Sequence, residues 1–481
     1  VINAILPGIL DFLAGAGTLR AMYATLFRHV LFPIYESRIR GRSTLTRLAE
    51  LERSQWQSEE SVREQSFRRM VETLSFAERE VPFYRRRFAA YGVRARDVKA
   101  PEDLARFPVL TKADLRIHAD ELVAEGFRGK LHPSGTSGST GEPVRFAYDH
   151  ATYERRMAAA ARSDGWAGGS LGEREVHVWG TMLQHESTLA RAKRRAYELV
   201  LRKKMVSAFD MSERRLAAVV DAMSRYEPRL VIGYATPLYH LARYALAHGR
   251  DLPAVRGVVT TAERLFAHQR EAIERAFGAK VFDRYGCREM MLIASECDRH
   301  EGKHINAENV FVEVYTGDRP SSHGQSGEIV VTDLVSRSMP LIRYKNGDLA
   351  TRSPKACSCG RGLPMLASVE GRVLDMLIGP DGQALAGEFF PHLLKDHPEI
   401  DRFQVHQARD HTITIKLVAG RGFTAALPQL ITHKLRELLG PRAKIAVEVV
   451  TSIPLTQGGK HRLIVSEAAP WRGGLGESAS P

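Results

Sequence analysis

Short runs of β-branched and aromatic residues recur after Asp114, each separated from the next by a helix-length stretch, and this alternation constrains the fold more than any other feature of the chain. Val176-His177-Val178-Trp179, Leu230-Val231-Ile232 and Gly257-Val258-Val259-Thr260 have the length and composition of buried strands. Between Arg264 and Phe277, Leu265, Ile273 and Phe277 fall near one helical face, and Ala279-Lys280-Val281-Phe282 reads as the following strand. Strands that alternate with helices predict an α/β architecture. Further strands are expected over residues 310–315, 327–332 and 341–344.

The flanks of this region read differently. The first eighty or so residues are mostly helical, with a helix from Ser58 to about Ala89 that Val81-Pro82 must interrupt, because proline drives the residue before it out of helical geometry. Beyond Gly371 a smaller α+β unit is expected: a hairpin over 403–418, a helix carrying Leu427, Leu430, Ile431, Leu435 and Leu438, and a strand over 445–450. A chain of 481 residues exceeds one hydrophobic core, so the division is a helical extension (1–90), a large α/β domain (91–371), a small mobile C-terminal domain (372–470) and a Gly/Ser-rich flexible tail (471–481).

Charge and cysteine content narrow the class. The net charge of +13 favours polyanionic partners, but clusters such as Arg85-Arg86-Arg87 and Lys193-Arg194-Arg195 come without a nucleic-acid-binding motif, so nucleic acid is not an expected partner. Four cysteines are too few to staple a secreted scaffold of this length and fit a reducing, cytoplasmic setting. The apolar N-terminal stretch is interrupted by Asp11, Arg20 and Arg28 before reaching the ~20 residues of a bilayer span. It reads as an amphipathic helix that packs on the body or makes peripheral membrane contact, and not as a signal peptide.

The segment Ser134-Gly135-Thr136-Ser137-Gly138-Ser139-Thr140-Gly141-Glu142-Pro143 carries the most chemical information. Its small residues let backbone N–H groups approach phosphate oxygens and its hydroxyls add donors, yet it lacks the Gly-Lys-Ser/Thr of a Walker A loop. It resembles the phosphate loop of the adenylate-forming (acyl-CoA synthetase) superfamily. Three further elements of that superfamily follow in order: Tyr285-Gly286-Cys287-Arg288-Glu289 resembles Tyr-Gly-x-Thr-Glu, Tyr344-Lys345-Asn346-Gly347-Asp348 resembles Tyr-Arg-Thr-Gly-Asp, and the run from Pro454 through Lys460 to Arg462 resembles the catalytic-lysine motif. Gly371-Arg372 stands where the interdomain hinge should be. Val81-Pro82-Phe83-Tyr84-Arg85 and the segment from Phe107 to Leu115 resemble the phenylacetate-CoA ligase, capsule-biosynthesis and coenzyme F390 synthetase-like group.

The resemblance implies ATP, Mg²⁺ and a carboxylic acid, with aromatic acids favoured by the resemblance alone, activated as its acyl-adenylate and then passed to coenzyme A or to an amine, hydroxyl or carrier-protein thiol. Lys460 would bridge the acid carboxylate and the α-phosphate, Arg288 would meet the α-phosphate in place of the usual threonine, and Glu289 would hold Mg²⁺. Thr136, Ser137, Gly138, Ser139, Thr140 and Gly141 would cradle the triphosphate; Arg284, Tyr285 and Gly286 would line the nucleotide site. Asp348 would take the ribose hydroxyls, Arg372 the ribose or phosphate, and Thr261, Ala262 and Glu263 the adenine side. The acid would lie beside residues 231–235 and 260–263, with 179–184 as a pocket wall. Departures at Val144, Arg288 and Leu374 keep two alternatives open: nucleotidylation of a hydroxyl, as the F390 synthetase-like relatives imply, and a non-catalytic nucleotide- or membrane-binding scaffold.

Three of the four cysteines form a second constellation. Cys297, His304, Cys357 and Cys359, with His300 as the substitute histidine, offer the thiolates and imidazole that suit tetrahedral structural zinc, and some relatives in the group carry a similar pattern. Reduced, unligated cysteines are the alternative. Cys287 lies inside the nucleotide motif and is not counted as a ligand.

Overall fold

The computed structural model describes residues 22–23, 25–129, 131–135, 144–179, 195–196, 198–208, 213–372, 376–378, 384–386, 399–454 and 462–467, together with 380, 390, 394 and 397. The expected phosphate-loop positions 136–143, the pocket-wall residues 180–184, Lys460 and the tail 471–481 lie outside the described residues, as does the side chain of Arg372.

Helices α1 (Thr44–Ser54), α2 (Glu59–Glu80) and α3 (Pro82–Ala90) lead into the body of the fold. The Ser58 hydroxyl accepts the Ser61 N–H, and Glu59 and Glu60 oppose the positive end of the α2 dipole, which together fix where α2 begins. It ends where expected: Val81 is extended (φ −114°, ψ 113°) because Pro82 follows, and Pro82 then occupies the first turn of α3, where its missing N–H costs nothing. Helix α4 (Lys112–Ile117) starts with a reciprocal box in which Thr111 accepts the Asp114 N–H and Asp114 accepts the Thr111 N–H.

Strands β1 (His132–Gly135) and β2 (Arg145–Tyr148) pair antiparallel, with Gly135 opposite Arg145, and so bracket the phosphate-loop positions. Helix α5 (His150–Trp166) follows, capped by Asp149. Next come β3 (Glu175–Trp179), β4 (Lys203–Ser207), β5 (Leu230–Tyr234), β6 (Gly257–Thr261) and β7 (Val281–Tyr285), side by side in the order β4-β3-β5-β6-β7 and all parallel. Helices α6 (Glu213–Tyr226), α7 (Ala235–Ala247) and α8 (Ala267–Phe277) connect β4 to β7 in succession. Val176, Val178, Val231, Val258 and Val281 pack with Leu238, Leu241 and Ile273 in one core, the covered setting that parallel strands require.

From β7 onward the same sheet turns antiparallel. β8 (Ala294–Glu296), β9 (Lys303–Ile305), β10 (Val310–Thr316), β11 (Arg319–Pro320), β12 (Ser326–Asp333), β13 (Tyr344–Arg352) and β14 (Met365–Arg372) complete twelve strands in the order β7-β8-β9-β14-β13-β12-β10-β11. The strand expected over 341–344 instead begins at Tyr344. Before it, Ile342 N–H is taken by the Tyr84 hydroxyl and Arg343 N–H by the Thr332 hydroxyl, so these groups are diverted from a ladder.

The N-terminal helices share a core with this antiparallel half: Met70, Leu74, Phe83, Tyr84 and Phe88 pack with Ile293, Ile329, Leu341 and Tyr344. They are therefore part of the large domain's core and not a separate body. Phe88 is 1% exposed, and truncating it to alanine costs about 3–5 kcal/mol.

The C-terminal unit has its own core. After a short pair, β15 (Met376–Ile378) with β16 (Ala384–Ala386), strands β17 (Ile400–Gln407), β18 (Ile413–Ala419), β19 (Ile445–Val450) and β20 (Ile464–Ser466) form a sheet ordered β19-β18-β17-β20. Helix α9 (Leu427–Leu439) buries Leu427, Ile431, Leu435 and Leu439 against Val405, Ile415 and Leu417.

Candidate active site and metal centre

Strand β7 is the seam of the molecule, paired with parallel β6 on one side and antiparallel β8 on the other. Ligand crevices of α/β sheets open outside the carboxyl ends of the parallel strands, and β7 is the last strand of the parallel run. The Tyr-Gly-Cys-Arg-Glu element leaves the sheet at this point. Gly286 is obligatory here: a Cβ would lie 1.8 Å from the Met291 carbonyl oxygen.

Two hydrogen-bonded groups join this element to β13. The Tyr285 hydroxyl donates to Asp348 Oδ2 at 2.8 Å and accepts from Asn346 Nδ2 at 2.6 Å; Asn346 also donates to Asp348 Oδ2 at 2.9 Å, and its Oδ1 accepts the Asp348 N–H at 3.1 Å. The Asp348 carboxylate is thereby fixed in rotation. Burial and the adjacent Asp348 charge push the Tyr285 hydroxyl well above its usual range, so it stays a donor at neutral pH. In the second group the Tyr344 hydroxyl donates to Glu289 Oε1 at 2.8 Å, and burial, then the Glu289 charge, raises Tyr344 in the same way. The Cys287 thiol is also pushed up, by burial and by Glu289. Arg288 is exposed at the same turn.

Other expected residues are placed differently. Arg284 alternates away from Tyr285 along β7, and its guanidinium is committed to Ser163 at 2.8 Å and Asp164 at 2.6 Å on α5. Glu263 accepts the Thr236 N–H at 2.8 Å, capping the first turn of α7, while Ala262 adopts a left-handed φ of 67°. The Arg264 guanidinium donates to the Glu370 carbonyl at 2.7 Å, tying the segment 261–264 to the strand that ends at Gly371-Arg372. At the carboxyl ends of β3 and β5, the Trp179 and Tyr234 rings meet at 4.8 Å.

Behind β7 lies an ion cluster that the sequence reading missed. Thr260 donates to Asp283 at 2.9 Å, Lys303 pairs with Asp283 at 3.0 Å, and Glu296 accepts from Arg270 at 2.7 Å and from the Asp283 N–H at 3.0 Å. Despite opposing burial, His300, Arg270 and Lys303 hold the Glu296 carboxyl down at about 2. The only available signal was the presence of charged residues inside strand-forming runs.

The cysteine constellation is brought together. The ligand atoms of Cys297, His304, Cys357 and Cys359 all lie within 4.8 Å of one another. Cys297 Sγ is 3.7 Å from Cys357 Sγ and Cys359 Sγ is 3.3 Å from His304 Nε2; tetrahedral zinc with Zn–S bonds near 2.3 Å sets sulfur atoms about 3.8 Å apart. His304 Nδ1 faces the Leu363 carbonyl at 3.2 Å, which leaves Nε2 as the ligating atom, and burial lowers His304 to about 4, the neutral form a metal needs. The Arg299 and Arg361 N–H groups donate to the Cys297 and Cys359 sulfurs, each at 3.4 Å. Burial raises the Cys297 and Cys357 thiols, so their ionisation calls for a nearby cation. The residues fit zinc. His300 stands outside the group: its left-handed φ of 54° turns Nδ1 toward Glu296 at 3.2 Å.

Comparison with known proteins agrees with this architecture. Residues 377–467 match the family model of the CapK C-terminal domain. The chain is 25% identical over 428 residues to a phenylacetate-coenzyme A ligase of Thermus thermophilus, covering 82% of this chain and 94% of that protein. It is 23% identical over 372 residues to the protein CapK of Staphylococcus aureus, covering 76% and 80%. Among solved structures, 2-hydroxyisobutyryl-CoA ligase in its postadenylation state superimposes with a TM-score of 0.69 at 22% identity, covering 84% of this chain and 89% of that one. The motif order, the twelve-stranded sheet and the C-terminal match agree in likening the chain to the adenylate-forming phenylacetate-CoA ligase and CapK-like group.

Proposed function

We propose that this chain is an AMP-forming acid–CoA ligase. The observation that carries the reading is the junction of β7 and β13, where Tyr285 and Asn346 orient Asp348 while Tyr344 orients Glu289. Two of the ordered motifs supply these side chains, and a ribose and a phosphate-bound cation need carboxylates held in this way.

An oxygen of the acid carboxylate attacks the α-phosphorus of ATP, the bond to the β-phosphate breaks and pyrophosphate leaves. The thiol of coenzyme A, having lost its proton, then attacks the acyl carbon and releases AMP. Lys460 would neutralise charge between carboxylate and α-phosphate, and exposed Arg288 would add a second cation there. Glu289 would hold Mg²⁺, which supplies charge neutralisation on the phosphates. Asp348 would take the ribose hydroxyls, Thr136 to Gly141 the outer phosphates, Arg372 the ribose or α-phosphate, and the backbone of Thr261 and Ala262 the adenine. Arg284 is assigned no contact with nucleotide, being paired with Asp164. The Trp179 and Tyr234 rings supply an apolar wall suited to an aromatic or branched acid. Zinc at Cys297, His304, Cys357 and Cys359 would be structural, since all four coordination positions are protein side chains.

The test is pyrophosphate release with ATP and Mg²⁺ across aryl, fatty and hydroxy acids, with Lys460→Ala alongside. Acid-dependent release that the variant loses, followed by AMP release on adding coenzyme A, is the expected result. AMP retained on a hydroxylated product would assign hydroxyl nucleotidylation instead.

A further inference from the structure

Residues 22–23 and 25–39 are helical, and within them two π-helical pieces, Phe27–Leu31 and Tyr35–Ile39, enclose the α-helical Phe32–Ile34. A π turn takes more residues than an α turn, so mixing the two keeps residues four apart in line. Met22, Leu26, Val30 and Ile34 have this spacing and are 62%, 48%, 43% and 49% exposed. Phe27 and Glu36 are buried on the inward side.

A second segment adjoins this stripe. The Tyr23 hydroxyl donates to the Val200 carbonyl at 3.3 Å and the Arg202 guanidinium lies 4.8 Å from the Tyr23 ring centre, which brings the segment carrying Leu199 and Val200, 47% and 51% exposed, against the helix at Tyr23. Arg38 and Arg40 are exposed at one end of the stripe and Arg195 in the adjoining segment. Among the described residues 195–196 and 198–204, Arg195, Arg202, Lys203 and Lys204 stand against the single acid Glu198, with Lys203 paired to Glu175 at 3.0 Å. Among the described residues of both segments no carboxylate is exposed: Glu36 is buried beside Arg42 at 3.4 Å, and Glu198 is half-buried.

We infer that this face docks the protein on an anionic phospholipid bilayer, with the apolar stripe entering the acyl boundary and the arginines meeting headgroup phosphates. An apolar strip flanked by one sign of charge, on a chain of net charge +13, repels a second copy of itself and attracts an anionic surface.

Cosedimentation of the full chain with phosphatidylcholine vesicles, with and without phosphatidylglycerol, tests this. Binding is expected only with phosphatidylglycerol present and weakens as salt is raised. Ile34→Glu and Leu26→Glu lower the partition coefficient by about tenfold or more, because a carboxylate must then enter the boundary. Arg38→Glu lowers it by roughly fivefold or more at low salt. These positions are exposed, so circular dichroism and Tm should match the parent. Equal binding to phosphatidylcholine alone, undiminished binding of Ile34→Glu, or a concentration-dependent dimer that Ile34→Glu abolishes while vesicles bind nothing would each overturn the proposal.

Discussion

The nucleotide-side cluster and the cysteine cluster lie on the same stretch of sheet, but they are held together by opposite means. Around Asp348 and Glu289 every carboxylate already has a neutral donor from Tyr285, Asn346 or Tyr344, so the site is ordered by the fold itself. Around Cys297, His304, Cys357 and Cys359 the ligand atoms face one another, two thiols are pushed up by burial, and the proposed zinc would supply the order. A site that meets a transient substrate is pre-organised, whereas one that keeps its ion for the life of the protein can leave its assembly to that ion.

Cys359→Ser is the strongest way to break this contrast. It should cut bound zinc from one per chain to almost none and lower stability by several kcal/mol, read as metal content and Tm, since closed zinc sites contribute folding energy directly. A parent protein purified without zinc, and indifferent to chelator, would make the cluster an ordinary group of buried thiols. Asp348→Ala should leave zinc in place and raise the KM for ATP by roughly tenfold to a hundredfold, through loss of charge-assisted bonds worth about 1.5–3 kcal/mol. Tyr285→Phe sharpens the point at smaller scale. With Asp348 intact but no longer fixed by the hydroxyl, kcat/KM should fall by about tenfold, in keeping with one buried bond, while Tm changes little.

A control confined to acid pH lies far from both clusters. Glu175 on β3 is paired with Lys203 at 3.0 Å and His177 at 2.9 Å, which, against the opposing burial, hold its carboxyl down from 4.5 to about 2. A depressed carboxyl contributes stability that is present above its unfolded pKa and is lost as pH falls through its folded one. The loss should therefore run from about pH 4.5 down to about pH 2 and total about 3 kcal/mol at most. Glu175→Gln should flatten Tm over that window without altering zinc content or ATP affinity.

What could be read in the sequence follows from how locally each feature is encoded. The break at Val81-Pro82, the valine-rich strands and the C-terminal strand at Ile445–Val450 depend on neighbours in the chain and stand where the residues place them. The clustering of Cys297, His304, Cys357 and Cys359 was legible because cysteine is scarce here, and the left-handed turn at His300, the substitute histidine, sets that residue outside the group. Asn346 and Tyr344 were visible within a motif, yet their partners lie 61 and 55 residues away, and no spacing rule relates them. Arg284 shows the reverse failure: it adjoins the motif, but the pleat of β7 sends it to the far face, onto Asp164. The ion cluster of Thr260, Asp283, Lys303, Glu296 and Arg270 assembles from four strands and a helix, so only the folded chain displays it.

The Tyr84 hydroxyl donates to the Pro340 carbonyl and accepts the Ile342 N–H, 258 residues further on. At ribosomal rates of 5–20 residues per second, the partner of Tyr84 emerges roughly 13 to 50 s after Tyr84 itself. During that interval Leu74, Phe83, Tyr84 and Phe88 have no sheet to cover them. The nascent chain thus carries a long-lived apolar surface around Tyr84, and the yield of active protein should depend on a holdase chaperone and on the speed of translation as much as on the stability of the finished fold.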